Sequence, residues 1–383
     1  MGVLVPARSL VSPRKGSGED MNPIEKQPLL QVRHLGQEYL ARGGGGRGLG
    51  RPGKVSAVWD VSFEVATGET FGLVGETGCG KSSTARALFQ SPRPSSGQVL
   101  LRGRDLTALK GAELRTARRP MQMVFQDPHA SLDPRWSAAR IIEEPLRGFG
   151  LPGGRSRALE LLHLVGLDPG RHADALPRQM SGGECQRVAI ARALAAEPEL
   201  LVCDEAVSAL DVSVRAQILN IFERLRQEVG VASVFITHDL GVVRHVSDRL
   251  GVMHLGVLVE TGPTREVFSR PRHPYTASLL SSIPVPDPTM RPRVIKQRAQ
   301  EHPNPLHPPS GCRYRTQCPR AESICAEEPP MLRHLEGSAE GHLVACHFPL
   351  QSVPDAPTPA AAAVVGEQLE SRSSLHPHEQ TRR

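Results

Sequence analysis

The segment GETGCGKS, residues 75–82, constrains this chain more than any other stretch. It fits G-x-x-x-x-G-K-S at Gly75, Gly80, Lys81 and Ser82. Glycine tolerates the backbone angles that let successive N–H groups curl around a di- or triphosphate. The loop so formed runs through Gly75, Glu76, Thr77, Gly78, Cys79 and Gly80, with Ser82 and Ser83 opening the next element. Before it, "TFGLVG" reads as a strand; after it, "KSSTARALFQ" reads as a helix whose positive dipole end faces the same anion. Lys81 would reach the terminal phosphates and the Ser82 hydroxyl would hold Mg2+. A glycine-rich turn between any strand and helix is the plainer alternative, and the strand–loop–helix context selects the phosphate loop over it. The loop alone does not say what the phosphate chemistry drives.

The rest of the composition bounds the answer. Length and 39% hydrophobic residues suffice for a packed core. No run approaches the roughly 18 apolar residues that span a bilayer, and no apolar export core follows Met1, so a cytoplasmic location is expected. The net charge of +6 suits arginine-rich tails and solvated faces, and 4% aromatic residues leave little for base stacking, so nucleic acid is not an expected partner. Residues 1–27 read as a disordered segment, with Met21 an alternative start.

Further along, "PLLQVRHLGQEYL" reads as a strand and "ARGGGGRGLGRPGK" as a flexible loop. "VWDVSFEVATGETFGLVG" reads as two strands about a Thr-Gly turn. Strands are expected near 97–102 and 121–125, with residues 127–180 mostly helical. A helix over 182–196 leads to the strand "LLVCDE", and a helix over 213–229 leads to "SVFITHD". Strands alternating with helices imply a parallel sheet covered on both faces. Beyond residue 262 the pattern loosens, and a tail from 351 to 383 reads as disordered.

"LLVCDE" places two carboxylates at the end of a buried strand, where open α/β sheets bind ligands. Asp204 would hold Mg2+ through water, and Glu205 would orient or deprotonate an attacking water. "MSGGECQRVAIARAL" opens a second helix with Ser181, Gly182 and Gly183, again an anion-binding start or an ordinary cap. One nucleotide in one chain does not need two such starts. Two paired chains, each lending its helix start to the other's nucleotide, would use both.

Phosphate loop, "SGGECQR", "CDEAVSALD" and "ITHD" together resemble, in order and spacing, the nucleotide-binding subunit of an ABC transporter. The resemblance covers residues 28–350. It implies an α/β fold: an ABC-type P-loop ATPase core, comprising a parallel sheet flanked by helices, an antiparallel β subdomain and a helical subdomain. A small cysteine-containing C-terminal extension would follow. The ATPase core would span 28–262, its helical subdomain 127–180, and the extension 263–350. The resemblance also implies ATP and Mg2+. Gln126 would couple the nucleotide site to a membrane partner and join Ser82 and Asp204 at Mg2+. Ser208 to Asp211 would cross a dimer interface, His238 would contact the γ-phosphate, and Tyr39 would stack on adenine. Two departures stand out: Glu184 where glutamine is commoner, and Ala206 where proline is commoner.

"RHPYTASLLSSIPVPDP" and the following cysteines resemble the extension of the oligopeptide/dipeptide importer ATPases. Cys312, Cys318, Cys325 and Cys346 follow C-x5-C-x6-C-x20-C, unlike the paired spacings of zinc ribbons. A 4Fe-4S cluster is the expected occupant, with zinc or merely packed thiols as alternatives. His342 and His347 read as surface histidines. The implied activity is ATP hydrolysis energising a bacterial peptide importer. The implied partners are a second, non-identical ATPase chain, two membrane permeases and an extracytoplasmic peptide-binding protein. The implied location is the cytoplasmic face of the inner membrane. An importer of nickel or a glycoside, or a soluble ATPase acting on nucleic acid or ribosomes, are the alternatives. The transported solute itself is not legible, because no residue here need touch it.

Overall fold

A computed structural model describes residues 28–40, 54–283 and 308–351. The expectations for 1–27, for the glycine-rich loop over 41–53 and for the tail beyond 351 lie outside the described residues.

The chain opens with β1 (Leu30–Leu40) and β2 (Lys54–Val65), paired antiparallel from Leu30↔Val65 to Leu40↔Lys54. After β3 (Thr70–Val74) and α1 (Lys81–Leu88) come β4 (Ser96–Leu101) and β5 (Arg104–Asp105). Strands β2-β1-β4-β5 form one four-stranded sheet. Its strands alternate buried and exposed positions along much of their length, as expected of an antiparallel sheet with one wet face.

Next come α2 (Gly111–Ala117) and β6 (Met121–Val124), then α3 (Pro128–Ser131), α4 (Ala138–Phe149), α5 (Gly154–Leu164), α6 (Pro169–His172) and α7 (Gly182–Ala195). The helical reading of 127–180 corresponds to α3 to α6. In α4, Ser137 caps the start, Gly150 ends it in the left-handed region, and Ala138, Ile141, Ile142 and Leu146 make the buried stripe.

The remaining elements are β7 (Leu200–Asp204), α8 (Val212–Arg224), β8 (Ala232–Ile236), α9 (Leu240–Val246), β9 (Arg249–His254) and β10 (Val257–Pro263). Then follow α10 (Thr264–Ser269), α11 (Pro274–Ser281), α12 (Ile324–Glu327), β11 (Arg333–His334) and β12 (Leu343–Val344).

Among the described residues the main sheet has the order β11-β12-β10-β9-β3-β8-β7-β6. The run from β6 through β7, β8 and β3 to β9 is parallel. Strands β3, β7 and β8 are buried at every residue, because helices cover one face and α1 with the smaller sheet covers the other. Strand pleating sorts their side chains. Leu201, Cys203 and Phe235 join the core under α4, α5 and α7, whereas Leu200, Val202, Val234 and Ile236 join the core under β1, β2 and β4.

The far edge was not foreseen. Strand β10 crosses the point read as the end of the ATPase core, and β12 pairs with it antiparallel, Glu260 opposite Val344. The cysteine-bearing lobe thereby extends the same sheet. His342 corrects the expectation of a surface histidine: it is 1% exposed. Its Nε2–H donates to Glu260 Oε1 at 2.8 Å, and the fully buried Glu260 carboxylate also accepts from Arg272 N at 2.8 Å and His273 N at 2.9 Å. A carboxylate removed from water needs such donors, and here they staple the lobe to the core.

Candidate nucleotide-binding site

Four adjacent parallel strands end at one place. After β3 comes the glycine loop, after β6 comes Gln126, after β7 comes Glu205 and after β8 comes His238. Residues far apart in sequence meet there because the strands run in register.

In the loop, Gly75 and Gly80 have φ of 153° and 109°. A Cβ on Gly75 would stand 2.1 Å from Met253 O, and one on Gly80 2.2 Å from Ala57 O, so backbone fills the space a side chain needs. Lys81 is 4% exposed, and its ammonium donates to Gly75 O at 2.8 Å and Glu76 O at 2.9 Å. Among the described residues no carboxylate pairs with it within ion-pair distance. A buried cation whose hydrogen bonds run to neutral carbonyls, at the start of α1, suits an arriving polyphosphate.

Ser82 Oγ donates to Asp204 Oδ1 at 3.0 Å. Burial pushes the Asp204 carboxyl up, while the Ser82 bond, Arg86 and Lys81 oppose it. These hard oxygens suit Mg2+. Glu205 follows in a left-handed conformation, φ 50°, unusual for a residue with a side chain. Its Oε2 accepts from Gln126 Nε2 at 3.1 Å, and its Oε1 is 3.1 Å from His238 Nδ1. Gln126, Glu205 and His238 are thus brought together at the strand ends beside the loop.

Other expected residues sit elsewhere. Tyr39 lies near the end of β1 opposite Val55, half-buried, its hydroxyl without a partner among the described residues. Asp211 caps α8, accepting from Val214 N at 2.9 Å and Ser213 Oγ at 2.8 Å, next to an exposed Val212. Ser181 caps α7; Glu184 N donates to its Oγ at 3.3 Å, and Glu184 Oε2 accepts from Ser181 N at 2.8 Å, completing a capping box. Sequence reasoning missed Tyr275, whose hydroxyl accepts from Glu76 N at 3.2 Å inside the loop. Nothing local to "RHPYT" points back across 199 residues.

Cys312, Cys318 and Cys325 pack with Tyr275, Tyr314, Leu250 and Val259 in an apolar cluster beside β9 and β10. Cys312, Cys318 and Cys325 are buried and Cys346 is half-buried. Cys312 N donates to Cys325 O at 2.8 Å. Burial first, then the neighbouring cysteines, push the Cys312 thiol up to about 11 and that of Cys346 up to about 12. None of the seven cysteines forms a disulfide. Among the described residues no three His, Cys, Asp or Glu side chains are drawn into a metal-holding arrangement.

Fold and site together define a P-loop nucleoside triphosphatase. The ABC transporter family matches residues 58–208, and the C-terminal region of oligopeptide/dipeptide transporters matches 259–325. The chain is 50% identical over 297 residues to the probable peptide ABC transporter ATP-binding protein y4tS of Sinorhizobium fredii, covering 76% of this chain and 82% of that one. It is 43% identical over 333 residues to the oligopeptide transport ATP-binding protein OppF of Salmonella typhimurium, covering 85% and 98%. A dimeric ATP-binding cassette solved in a post-hydrolysis state with ADP and Pi is 30% identical, with a TM-score of 0.54, covering 62% of this chain and 99% of that one. This chain belongs to the ABC transporter ATPases, in the branch of the oligopeptide/dipeptide transport ATP-binding proteins, and it uses ATP and Mg2+ as that family does.

Proposed function

We propose that this chain is the ATP-hydrolysing subunit of a bacterial importer for oligopeptides or dipeptides. The reading is carried by one observation: the Glu205 carboxylate bridges Gln126 and His238 at the strand ends that also carry Lys81, Ser82 and Asp204. In this reading Gly75 to Ser83 cradle the phosphates and Lys81 neutralises the β- and γ-groups. Ser82, Asp204 and Gln126 hold Mg2+, which neutralises charge on the phosphate oxygens when bound. Glu205 accepts the proton of the attacking water, Gln126 and His238 hold its carboxylate in place, and His238 turns to the γ-phosphate. Tyr39 lies at the adenine. Ser181, Gly182, Gly183 and Asp211 serve a nucleotide held by a second, non-identical ATPase chain.

Two permeases and an extracytoplasmic peptide-binding protein complete the assembly, and the chain works peripherally at the cytoplasmic face of the inner membrane. Among the described residues no helix is long and apolar enough to cross a membrane. The ATPase core spans 28–262 and the extension 263–350. The extension's four thiols, three of them buried, are a soft donor set suited to a 4Fe-4S cluster, which would act structurally or as a sensor.

Lys81→Ala is expected to abolish nucleotide binding. Glu205→Gln is expected to keep ATP binding and lower turnover by about 10²–10⁴-fold, since an amide cannot take the proton. ATPase assays on the assembled complex, with the partner's site disabled, check this; unchanged turnover would refute the role of Glu205.

A further inference from the structure

The loop Gly75–Gly80 is tied down from outside the ATPase motifs at two points. At the first, Glu76 N–H donates to Tyr275 Oη at 3.2 Å. Tyr275 belongs to α11 and is 1% exposed, and burial pushes its phenol up, so it stays a neutral acceptor. Its ring meets Tyr314 edge-on, with centroids 5.3 Å apart and planes at 61°. At the second point, Cys79 O accepts from Gly256 N at 2.7 Å. The preceding carbonyl, Leu255 O, accepts from the Arg313 guanidinium, which lies 5.5 Å from the Trp59 ring centre. Trp59 N in turn donates to Gly256 O at 2.7 Å. Both ties end at consecutive residues, Arg313 and Tyr314, directly after Cys312.

We propose that the cysteine lobe braces the nucleotide loop, with Tyr275 and Arg313 as positioning residues for ATP binding. The physical reason lies in the peptide planes. In a trans peptide the C=O and the following N–H point in opposite directions. Holding Cys79 O on Gly256 therefore aims the Gly80 N–H the other way. Holding Glu76 N–H on Tyr275 sets the plane at the loop's other end. Between them Cys79 N–H closes on Glu76 O at 3.2 Å, and the Thr77 and Gly78 N–H groups are held between two fixed planes, so less ordering cost falls on nucleotide binding. The proposal rests on the reading of Gly75–Ser83 as the phosphate loop.

The test compares Mg-ATP binding and turnover for the full chain, alone and in its assembled complex. Tyr275→Phe keeps the ring and deletes the one acceptor. It should weaken Mg-ATP binding roughly 3- to 10-fold, the scale of one hydrogen bond, and the loss should fall on KM rather than kcat. Arg313→Ala should do the same, and Arg313→Lys, which retains a donor, should recover part of it. Melting without nucleotide reports folding; if Arg313→Ala melts early, the near-isosteric Tyr275→Phe decides. Wild-type affinity in Tyr275→Phe, beside a Lys81→Ala variant that binds nothing, would overturn the brace and leave the ATP reading intact. Failure of the wild-type chain to bind Mg-ATP would overturn both.

Discussion

Glu184 stands three residues into the α7 cap, where the family resemblance leads one to expect glutamine. Its carboxylate takes the Ser181 N–H at 2.8 Å and lies 3.0 Å from His172 Nε2. The Ser181 N–H first, and His172 second, hold its carboxyl down to about 2. A carboxylate depressed on folding contributes stability above its ordinary pKa of 4.5, and that stability is lost as pH falls through about 2. Glutamine closes the same capping box but does not titrate. Glu184→Gln should therefore be less stable than wild type at pH 6, by under about 1 kcal/mol because the site is partly solvated. The gap should close as pH falls from 4.5 to 2. Denaturation series at stepped pH measure this; a gap independent of pH would remove the ionised Glu184 from the account. Glu205 shows a different residue-scale lesson: "LLVCDE" reads as a strand through its last residue, but β7 ends at Asp204 and Glu205 turns into the left-handed region, which no local pattern signals.

At the scale of elements, the start of α7 separates two neighbouring glycines that the sequence presents as a pair. A Cβ on Gly183 would stand 2.4 Å from Val214 Cγ1 on α8, so any side chain there disturbs the chain's own packing. At Gly182 nothing beyond its own chain neighbours and helix backbone lies within 4 Å of that position. Gly182→Asp should therefore leave folding and ATP binding of the isolated chain unchanged. It should sharply reduce ATPase activity of the assembled dimer, because it sets a negative charge where the partner's nucleotide would lie. Equal loss of ATP binding in the isolated chain would argue against action across the interface. Strands β3, β7 and β8 were legible as elements because apolar runs bounded by turn residues are local signals. Strands β11 and β12, two residues each, carry no such signal and exist because β10 offers β12 an edge and β12 offers one to β11.

At the scale of the whole molecule, the lobe with the cysteines and the ATPase core share one sheet, one buried carboxylate and the two ties to the nucleotide loop. A change in one should be felt in the other. Anaerobically purified protein is expected to be brown, with about four iron and four sulfide per chain. Cys318→Ser should bleach it and loosen residues 308–351, measured by hydrogen exchange. Mg-ATP binding should persist but weaken to the degree expected for Tyr275→Phe. A colourless protein holding one zinc would exchange the metal in this account. A metal-free protein with four titrating thiols after anaerobic reconstitution would remove the metal site.

What the sequence determined by itself is whatever a short, contiguous pattern encodes. The loop from Gly75 to Ser82, the acid pair Asp204 and Glu205, and the buried strands all rest on residues within a few positions of one another, where backbone geometry alone dictates what they can do. The tertiary structure alone decided which distant groups satisfy each other. Glu260 and His342 meet across 82 residues, and Glu76 and Tyr275 across 199. A buried polar group must find a partner, but its spacing in the chain does not say which one. His342, read as a surface residue, is buried for that reason: only the pairing of β10 with β12 places it beside a fully buried carboxylate.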